Sequence, residues 1–244
     1  MAIAILMYHQ IVQPPARGTA FRSLCVAPRA FRRQMTWMRR LGYRGLSMRE
    51  LMPYLRGERT GKVFGITFDD GYRNVYDHAL PVLCELGFTA TSYCVANQID
   101  GGNLWDREKG IAFSPLMNVA EMLRWTQLGH EIGSHTLDHV PLGECSWEQA
   151  LPQIVDSKTV LEGLLGVPVT AFCYPYGSCA PEHRQLVRQA GYESATLVRR
   201  GRASASDDPF GLPRVTISRS TGWLRFLQKC FTGYEASRAS VGRQ

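Results

Sequence analysis

Along this chain, short apolar runs alternate with stretches whose apolar positions recur at helical spacing. Ile3–His9 reads as a buried first strand. Phe31, Met35, Met38 and Leu41 then repeat with a helical period that stops at Gly42. Ser47 and Glu50 form a capping box opening a short helix that Pro53 interrupts. Val63–Phe68 predicts a strand, Asn74–Leu86 a helix ended by Gly87, and Thr89–Ala96 another strand. The polar stretch from Asn97 to Pro115 predicts a long loop over one end of the fold. Asn118 and Glu121 then open a helix closed by Gly129, His130–His135 is a short strand, and Ser146 with Gln149 caps a long helix ending at Gly166. Val169–Tyr174, Ser194–Val198 and Arg214–Ser218 predict further strands, with a helix over Pro181–Ala190. From Trp223 a short amphipathic helix is expected, followed by fraying Ser/Gly-rich residues.

About seven strands interleaved with helices imply a parallel sheet covered by helices. No Pro/Gly-rich linker divides the sequence and no repeat is visible. Residues 1–220 therefore read as one domain, an incomplete or distorted α/β barrel, with a doubly wound open sheet as the alternative; residues 221–244 read as an amphipathic tail. Both architectures place their chemistry at the C-terminal ends of the strands.

Composition narrows the class. A chain of 244 residues can bury about 70% of its unfolded surface, enough for a core without staples. Hydrophobic residues at 45% and charged residues at 20% argue against disorder. The N-terminal apolar run is about six residues, below the ~7–15 of a secretory segment, and lacks a basic start. The seven cysteines are odd in number and form no CxxC pair. Cys84, Cys94 and Cys173 sit in apolar segments and are expected to act as small hydrophobes. Together these features lead us to expect a reducing cytoplasm, at or away from the inner membrane face. The net charge of +7 draws on Arg29, Arg32, Arg33, Arg39 and Arg40 of one predicted helix, and on a basic C-terminal stretch. It fits either a solvated surface or attraction to a phosphate-bearing substrate or a membrane; no nucleic-acid motif accompanies it, so nucleic acid is not an expected partner.

Three segments carry candidate chemistry. Thr67-Phe68-Asp69-Asp70-Gly71 ends a strand with two adjacent carboxylates, and Gly71 offers the positive φ of a turn. Such neighbours repel unless a cation lies beside them; Asp-Gly is also an ordinary loop signal. Gly133-Ser134-His135-Thr136-Leu137-Asp138-His139 puts two histidines four apart, the spacing of one face of a helical turn that chelates an ion. Thr136 stands where a zinc protease needs Glu. Asp70, His135 and His139 would then form a two-His, one-carboxylate site, with Asp69 taking a proton from an attacking water. The same ligand set also suits non-haem iron oxygenases. Thirdly, Phe172-Cys173-Tyr174-Pro175-Tyr176-Gly177 closes a strand with a turn able to aim a backbone N–H at an oxyanion.

The ordered set Thr-Phe-Asp-Asp-Gly, His-Thr-x-x-His and Tyr-Pro-Tyr-Gly resembles the polysaccharide deacetylase family (NodB homology, carbohydrate esterase family 4) over roughly residues 3–218. The resemblance implies a distorted (β/α)7 barrel and metal-dependent removal of N-acetyl groups from an acetylated amino sugar or saccharide, with zinc as the expected divalent ion. It implies Asp69 as catalytic base, Asp70, His135 and His139 as metal ligands, and the Tyr176 backbone N–H as oxyanion donor. Two departures stand out. Cys173 occupies the arginine position of the family's third motif, and the late Leu-x-His element is absent. Met7-Tyr8-His9 is similar to a subgroup that includes poly-N-acetylglucosamine deacetylases, which implies His9 as general acid; Arg214 in Leu-Pro-Arg would orient Asp69. Trp105 and Asp106 of the long loop are expected to stack on and hydrogen-bond a sugar, whereas Trp125 and Trp147 are expected in the core. The tail from Trp223 would dock on the barrel or touch a membrane. Competing readings are a catalytically weak saccharide- or metal-binding relative and an amidohydrolase of a small non-polymeric C–N substrate.

Overall fold

The computed structural model describes residues 2–239; the predicted fraying beyond them, at 240–244, lies outside the described residues. Ten strands alternate with helices: β1 (Ile5–Tyr8), β2 (Gln10–Ile11), β3 (Cys25–Val26), β4 (Arg44–Leu46), β5 (Val63–Phe68), β6 (Thr91–Cys94), β7 (Glu131–Ser134), β8 (Ala171–Cys173), β9 (Ser194–Arg200) and β10 (Leu212–Thr216). Every pairing among these strands is parallel. Neighbours run β1-β10-β9-β8-β7-β6-β5, and β5 pairs back onto β1 with Ile5 opposite Gly65 and Tyr8 opposite Phe68. That last pairing closes a seven-stranded barrel and excludes the open sheet. Short β4 pairs with the N-terminal half of β5, below β6, where Gly65 is shared between Leu46 and Ile5. This extra strand beside a seven-stranded ring is the distortion.

The two-residue side-chain period sorts the barrel cleanly. Ile5, Val63, Tyr93, Ala171, Cys173 and Leu212 form the lumen cluster. Leu6, Tyr8, Phe64, Ile66, Phe68, Phe172 and Val215 face the outer layer and pack against helices. Gly133 of β7 has no side chain because Tyr93 fills that level: a Cβ there would come within 2.5 Å of the Tyr93 ring.

Nine helices are described: α1 (Pro28–Arg40), α2 (Met48–Leu55), α3 (Arg73–His78), α4 (Leu80–Leu86), α5 (Val119–Gln127), α6 (Trp147–Leu165), α7 (Pro181–Gln189), α8 (Trp223–Phe231) and α9 (Tyr234–Ala239). Asn118 and Ser146 cap α5 and α6 with complete capping boxes. At α2 the box is half-made: Ser47 accepts from the Glu50 N–H, while the Glu50 carboxylate accepts from Thr89 instead. The helix predicted over 74–86 is two, because Pro81 in the first turn of α4 has no N–H to continue the ladder. Some predicted core positions lie outside: Leu41 is 39% and Trp147 45% exposed, and Cys84 is exposed too. Each sits near a helix end, where packing against the next element lapses.

The tail is packed on the barrel. Phe226 and Cys230 of α8 are buried in the main core, and Trp223 stacks on Trp37 of α1. Lys229 donates to the Thr216 carbonyl at 2.6 Å and pairs with buried Glu235. No helix among the described residues is long and apolar enough to cross a membrane.

Candidate active site

β5 delivers the two carboxylates to the C-terminal mouth of the barrel. The Asp69 N–H still donates to the Tyr8 carbonyl as the ladder ends. The chain then turns with positive φ at both Asp70 (73°) and Gly71 (77°). The strain at Asp70, of order 1–3 kcal/mol for a non-glycine residue, turns neighbouring side chains into one site instead of onto opposite faces. Gly71 is required: beyond its φ, a Cβ would press on Cys94 Sγ at 3.1 Å.

The two carboxylates keep different company. Asp69 is bound bidentately by Arg214 of β10, Nη1 to Oδ1 at 2.6 Å and Nη2 to Oδ2 at 2.7 Å. Arg214 is fully buried in the lumen, and all five of its N–H donors find acceptors. Nε reaches the Leu197 carbonyl, Nη1 also reaches Thr67 Oγ1, and Nη2 also reaches Cys173 Sγ at 3.2 Å. Burial pushes the Asp69 carboxyl up, but the Arg214 charge and hydrogen bonds outweigh it and hold the group below its ordinary value. The guanidinium thus enters from β10, two strands from β5 across β1, and the small Cys173 at the motif-arginine position leaves it room.

Asp70 faces the two imidazoles. The sequence predicts His135 and His139 on one face of a helical turn; in the structure the segment is a non-helical loop following β7. Thr136 (φ 69°) and His139 (φ 60°) are both left-handed, and Thr136 Oγ1 accepts from the His139 N–H at 2.9 Å. The rings meet because the chain folds back, not because four residues make a turn of helix. Asp70 Oδ1 lies 3.4 Å from His135 Nε2 and 3.2 Å from His139 Nε2. Burial would raise the Asp70 carboxyl; hydrogen bonds from both histidines dominate and depress it strongly.

These residues fit a cation. Ligands about 2.0–2.1 Å from a tetrahedral zinc stand about 3.3 Å apart, the spacing that Asp70 keeps to each ring. All three donor atoms lie within 4.8 Å of one another, and His135 Nδ1 is 2.7 Å from the Cys173 carbonyl. The carbonyl can only accept, so Nδ1 carries a proton and Nε2 is the atom left for a cation, the orienting contact usual for a metal-ligating histidine. Asp69, His135 and Cys173 also converge. There, Arg214 already neutralises the carboxylate, so a second cation has no charge to answer.

His9 follows β1 with Nε2 3.9 Å from Asp69 Oδ2, and it lines the cleft with Asp69, Asp70, His135 and His139. Tyr176 sits on the tight turn after β8 with φ 58°, its ring edge against His139. Its hydroxyl accepts from Lys109 Nζ at 2.8 Å and donates to Asp106 at 3.2 Å. Asp106 is buried at the cleft wall and paired with Lys109 at 3.0 Å. Trp105 is half-buried, and its ring stacks on His139 at 4.6 Å, so it braces a histidine. Lys109 and Tyr72 carry no motif signal, and Thr67, though it opens the first motif, has no predicted role of its own. They enter only because the 104–109 turn, the lumen alternation of β5 and the bend after Gly71 bring them in. Burial, then Asp70, pushes the Tyr72 phenol up, which keeps it neutral at the cleft wall.

Comparison with known proteins agrees with this geometry. The chain is 29% identical to the Bacillus subtilis (strain 168) protein YxkH, over 88% of this chain and 71% of that one. It is 26% identical to the Escherichia coli (strain K12) poly-β-1,6-N-acetyl-D-glucosamine N-deacetylase over 88% of its own length, but the match spans 37% of that relative. Among solved structures, the Streptococcus pyogenes deacetylase PplD in complex with acetate superimposes with a TM-score of 0.82 at 28% identity, covering 94% of this chain and 98% of that one. With residues 56–195 matching the polysaccharide deacetylase family model, through the strand that presents the two carboxylates and the loop that returns the two histidines, the chain belongs to the polysaccharide deacetylase family.

Proposed function

We propose that this protein is a metal-dependent N-deacetylase that hydrolyses the acetamide of an acetylated amino sugar or saccharide, releasing acetate and a free amine. The observation that carries this reading is the division of labour between adjacent carboxylates: Asp69 is held bidentately by Arg214, and Asp70 faces two imidazoles. Family membership and the likeness to a deacetylase structure with acetate support the same reaction.

Asp70, His135 and His139 would hold a divalent cation, zinc being the ion their donor set suits, and such an ion supplies Lewis acidity to water and to a carbonyl oxygen. Asp69, kept ionised by Arg214, takes a proton from the attacking water. The Tyr176 backbone N–H is assigned to the oxyanion that forms on the former carbonyl oxygen. As the C–N bond breaks, His9 gives a proton to the departing nitrogen. Arg214 is a positioning residue, fixing the carboxylate plane without touching substrate. Asp106 and Tyr176 shape the rim where the sugar enters.

The test is acetate release from acetamido sugars presented free, nucleotide-linked and as β-1,6-linked N-acetylglucosamine oligomers, with and without chelator. Release that stops with chelator and returns with added zinc is the expected result. An Asp69→Asn variant should keep its cation and lose about 10²–10⁴ in turnover. A cation-loaded protein that releases acetate from none of these substrates overturns the proposal.

A further inference from the structure

The face where α1 meets α8 carries charges and aromatic rings that the chemistry of the cleft leaves unused. α1 holds five arginines and no acid, and α8 holds Arg225 and Lys229 and no acid. What becomes of these cations depends on the side from which they project. Arg32, on the flank of α1 towards α4, pairs with Glu85, and Lys229 turns inward to Glu235. Arg29, Arg33 and Arg40 recur at spacings of four and seven and share the exposed face of α1. Among the described residues none of these three, nor exposed Arg225, pairs with a carboxylate.

Two tryptophans join the arginines to α8. Trp37 lies one helical turn from both Arg33 and Arg40 and stacks on Trp223, with ring centroids 6.2 Å apart and planes 18° from parallel. The Arg40 guanidinium stands 5.7 Å from the Trp37 ring. This stack is not a core contact: Trp37 is 37% and Trp223 47% exposed, and Leu224, beside them on the first turn of α8, is 65% exposed. Single apolar side chains in water are ordinary, but two tryptophans and a leucine together, edged by guanidinium groups, form a patch. Indoles pair an apolar ring with a polar N–H, and arginines bury their stems while their heads reach anionic groups, the combination that suits a membrane boundary. An acidic protein would answer the arginines, yet protruding Leu224 would then need a matching pocket, whereas a bilayer boundary yields around it.

We infer that the α1–α8 face is a docking surface for an anionic lipid bilayer, with Trp37, Trp223 and Leu224 entering the headgroup boundary and Arg29, Arg33, Arg40 and Arg225 meeting the lipid phosphates. Docking of this kind is peripheral, and salt weakens it. None of these residues lines the catalytic cleft, so docking and acetate release are separable.

Vesicle flotation of the full chain is the test. The protein should float with vesicles of phosphatidylglycerol and phosphatidylcholine, and should stay behind with phosphatidylcholine alone or in high salt. Arg33→Gln/Arg40→Gln should weaken binding about 25-fold, at about fivefold for each arginine near an anionic surface. Leu224→Ser should weaken it about tenfold through lost apolar burial. These side chains are exposed, so their urea midpoints should stay near wild type. Arg59→Gln/Arg124→Gln removes the same charge from two other exposed positions and should bind like wild type. Brominated lipid should quench the tryptophan fluorescence of the wild type, and Trp37→Phe/Trp223→Phe should lose most of that quenching. Failure to float with the anionic vesicles overturns the inference, as does an equal loss in the Arg59/Arg124 variant, which would reduce the attraction to net charge. Binding that needs Arg33 and Arg40 but ignores Leu224→Ser, without quenching, also overturns it and points to a soluble acidic partner.

Discussion

At the residue scale, the Asp69–Arg214 pair decides most. A buried bidentate pair is strongly destabilised when one partner is removed, by about 3–5 kcal/mol, because the other charge is left without an answer. Arg214→Met should therefore lower the urea midpoint severely, and so should Asp69→Asn. The Asp69→Asn/Arg214→Met double variant should lose much less than their sum. Strict additivity would mean that the guanidinium is held by Thr67, Cys173 and Leu197 without need of the carboxylate. His9 behaves differently. It touches Asp69 only at 3.9 Å and is partly open to the cleft. His9→Ala should slow acetate release by about 10²–10⁴ while cation content and urea midpoint stay near wild type; an unchanged rate removes His9 from proton donation. The motif residues were legible because chemistry demands their types in order. Arg214 was readable only as the basic residue available to fill a vacancy, since nothing local in Leu-Pro-Arg announces a partner 145 positions away. The stack of Trp105 on His139 was not legible, because an aromatic in a polar loop looks the same in sequence whether it meets a sugar or a histidine.

At the element scale, α2 shows what hydrophobic patterning cannot. Its position and its Ser47 cap follow from sequence, but its N-terminus is tied to barrel strands. The Met48 N–H donates to Thr91 Oγ1, and the Arg49 N–H donates to Glu131 Oε2 at 3.0 Å. Thr91 in turn donates to Glu131 at 2.6 Å. A buried Glu on a barrel strand makes sense only once the helix whose free Arg49 N–H it caps is in view. Burial raises the Glu131 carboxyl above its ordinary range, and the bonds from Thr91 and Arg49 offset this only in part. The folded state therefore holds this proton more tightly than the unfolded chain. Its contribution to stability is greatest below the unfolded value of about 4.5 and falls as pH rises towards the raised folded value. Urea unfolding against pH should show the wild type losing ground to Glu131→Gln across that window. Parallel curves would mean that Glu131 titrates alike in both states. The loop after β7 makes the same point from the other side. Two histidines at i and i+4 suggested a helix, yet Thr136 and His139 take left-handed φ, and the chelating face is made by a reversal that periodicity does not encode.

At the scale of the whole molecule, closure of β5 onto β1 joins stability to the site. The strand that carries Asp69 and Asp70 pairs with the strand that carries His9, and the histidine loop leaves β7 two strands further round. A cation held by Asp70, His135 and His139 thus bridges parts of the chain that separate on unfolding, and only the folded barrel offers all three donors at once. Ligand linkage then sets the size of the effect: at free zinc about one hundred times the dissociation constant, folding gains about 2.7 kcal/mol. For a domain of this size each kcal/mol moves the midpoint by about 2–4 °C, so zinc should raise Tm by roughly 5–10 °C over the chelated protein. Asp70→Ala, which removes the only carboxylate of the three, should abolish that rise while the chelated midpoint changes far less. Arg214 keeps Asp69 occupied and so gives the ion no substitute ligand. An Asp70→Ala protein whose Tm still climbs with zinc would place the cation elsewhere on the chain and detach the two histidines from the chemistry assigned to them.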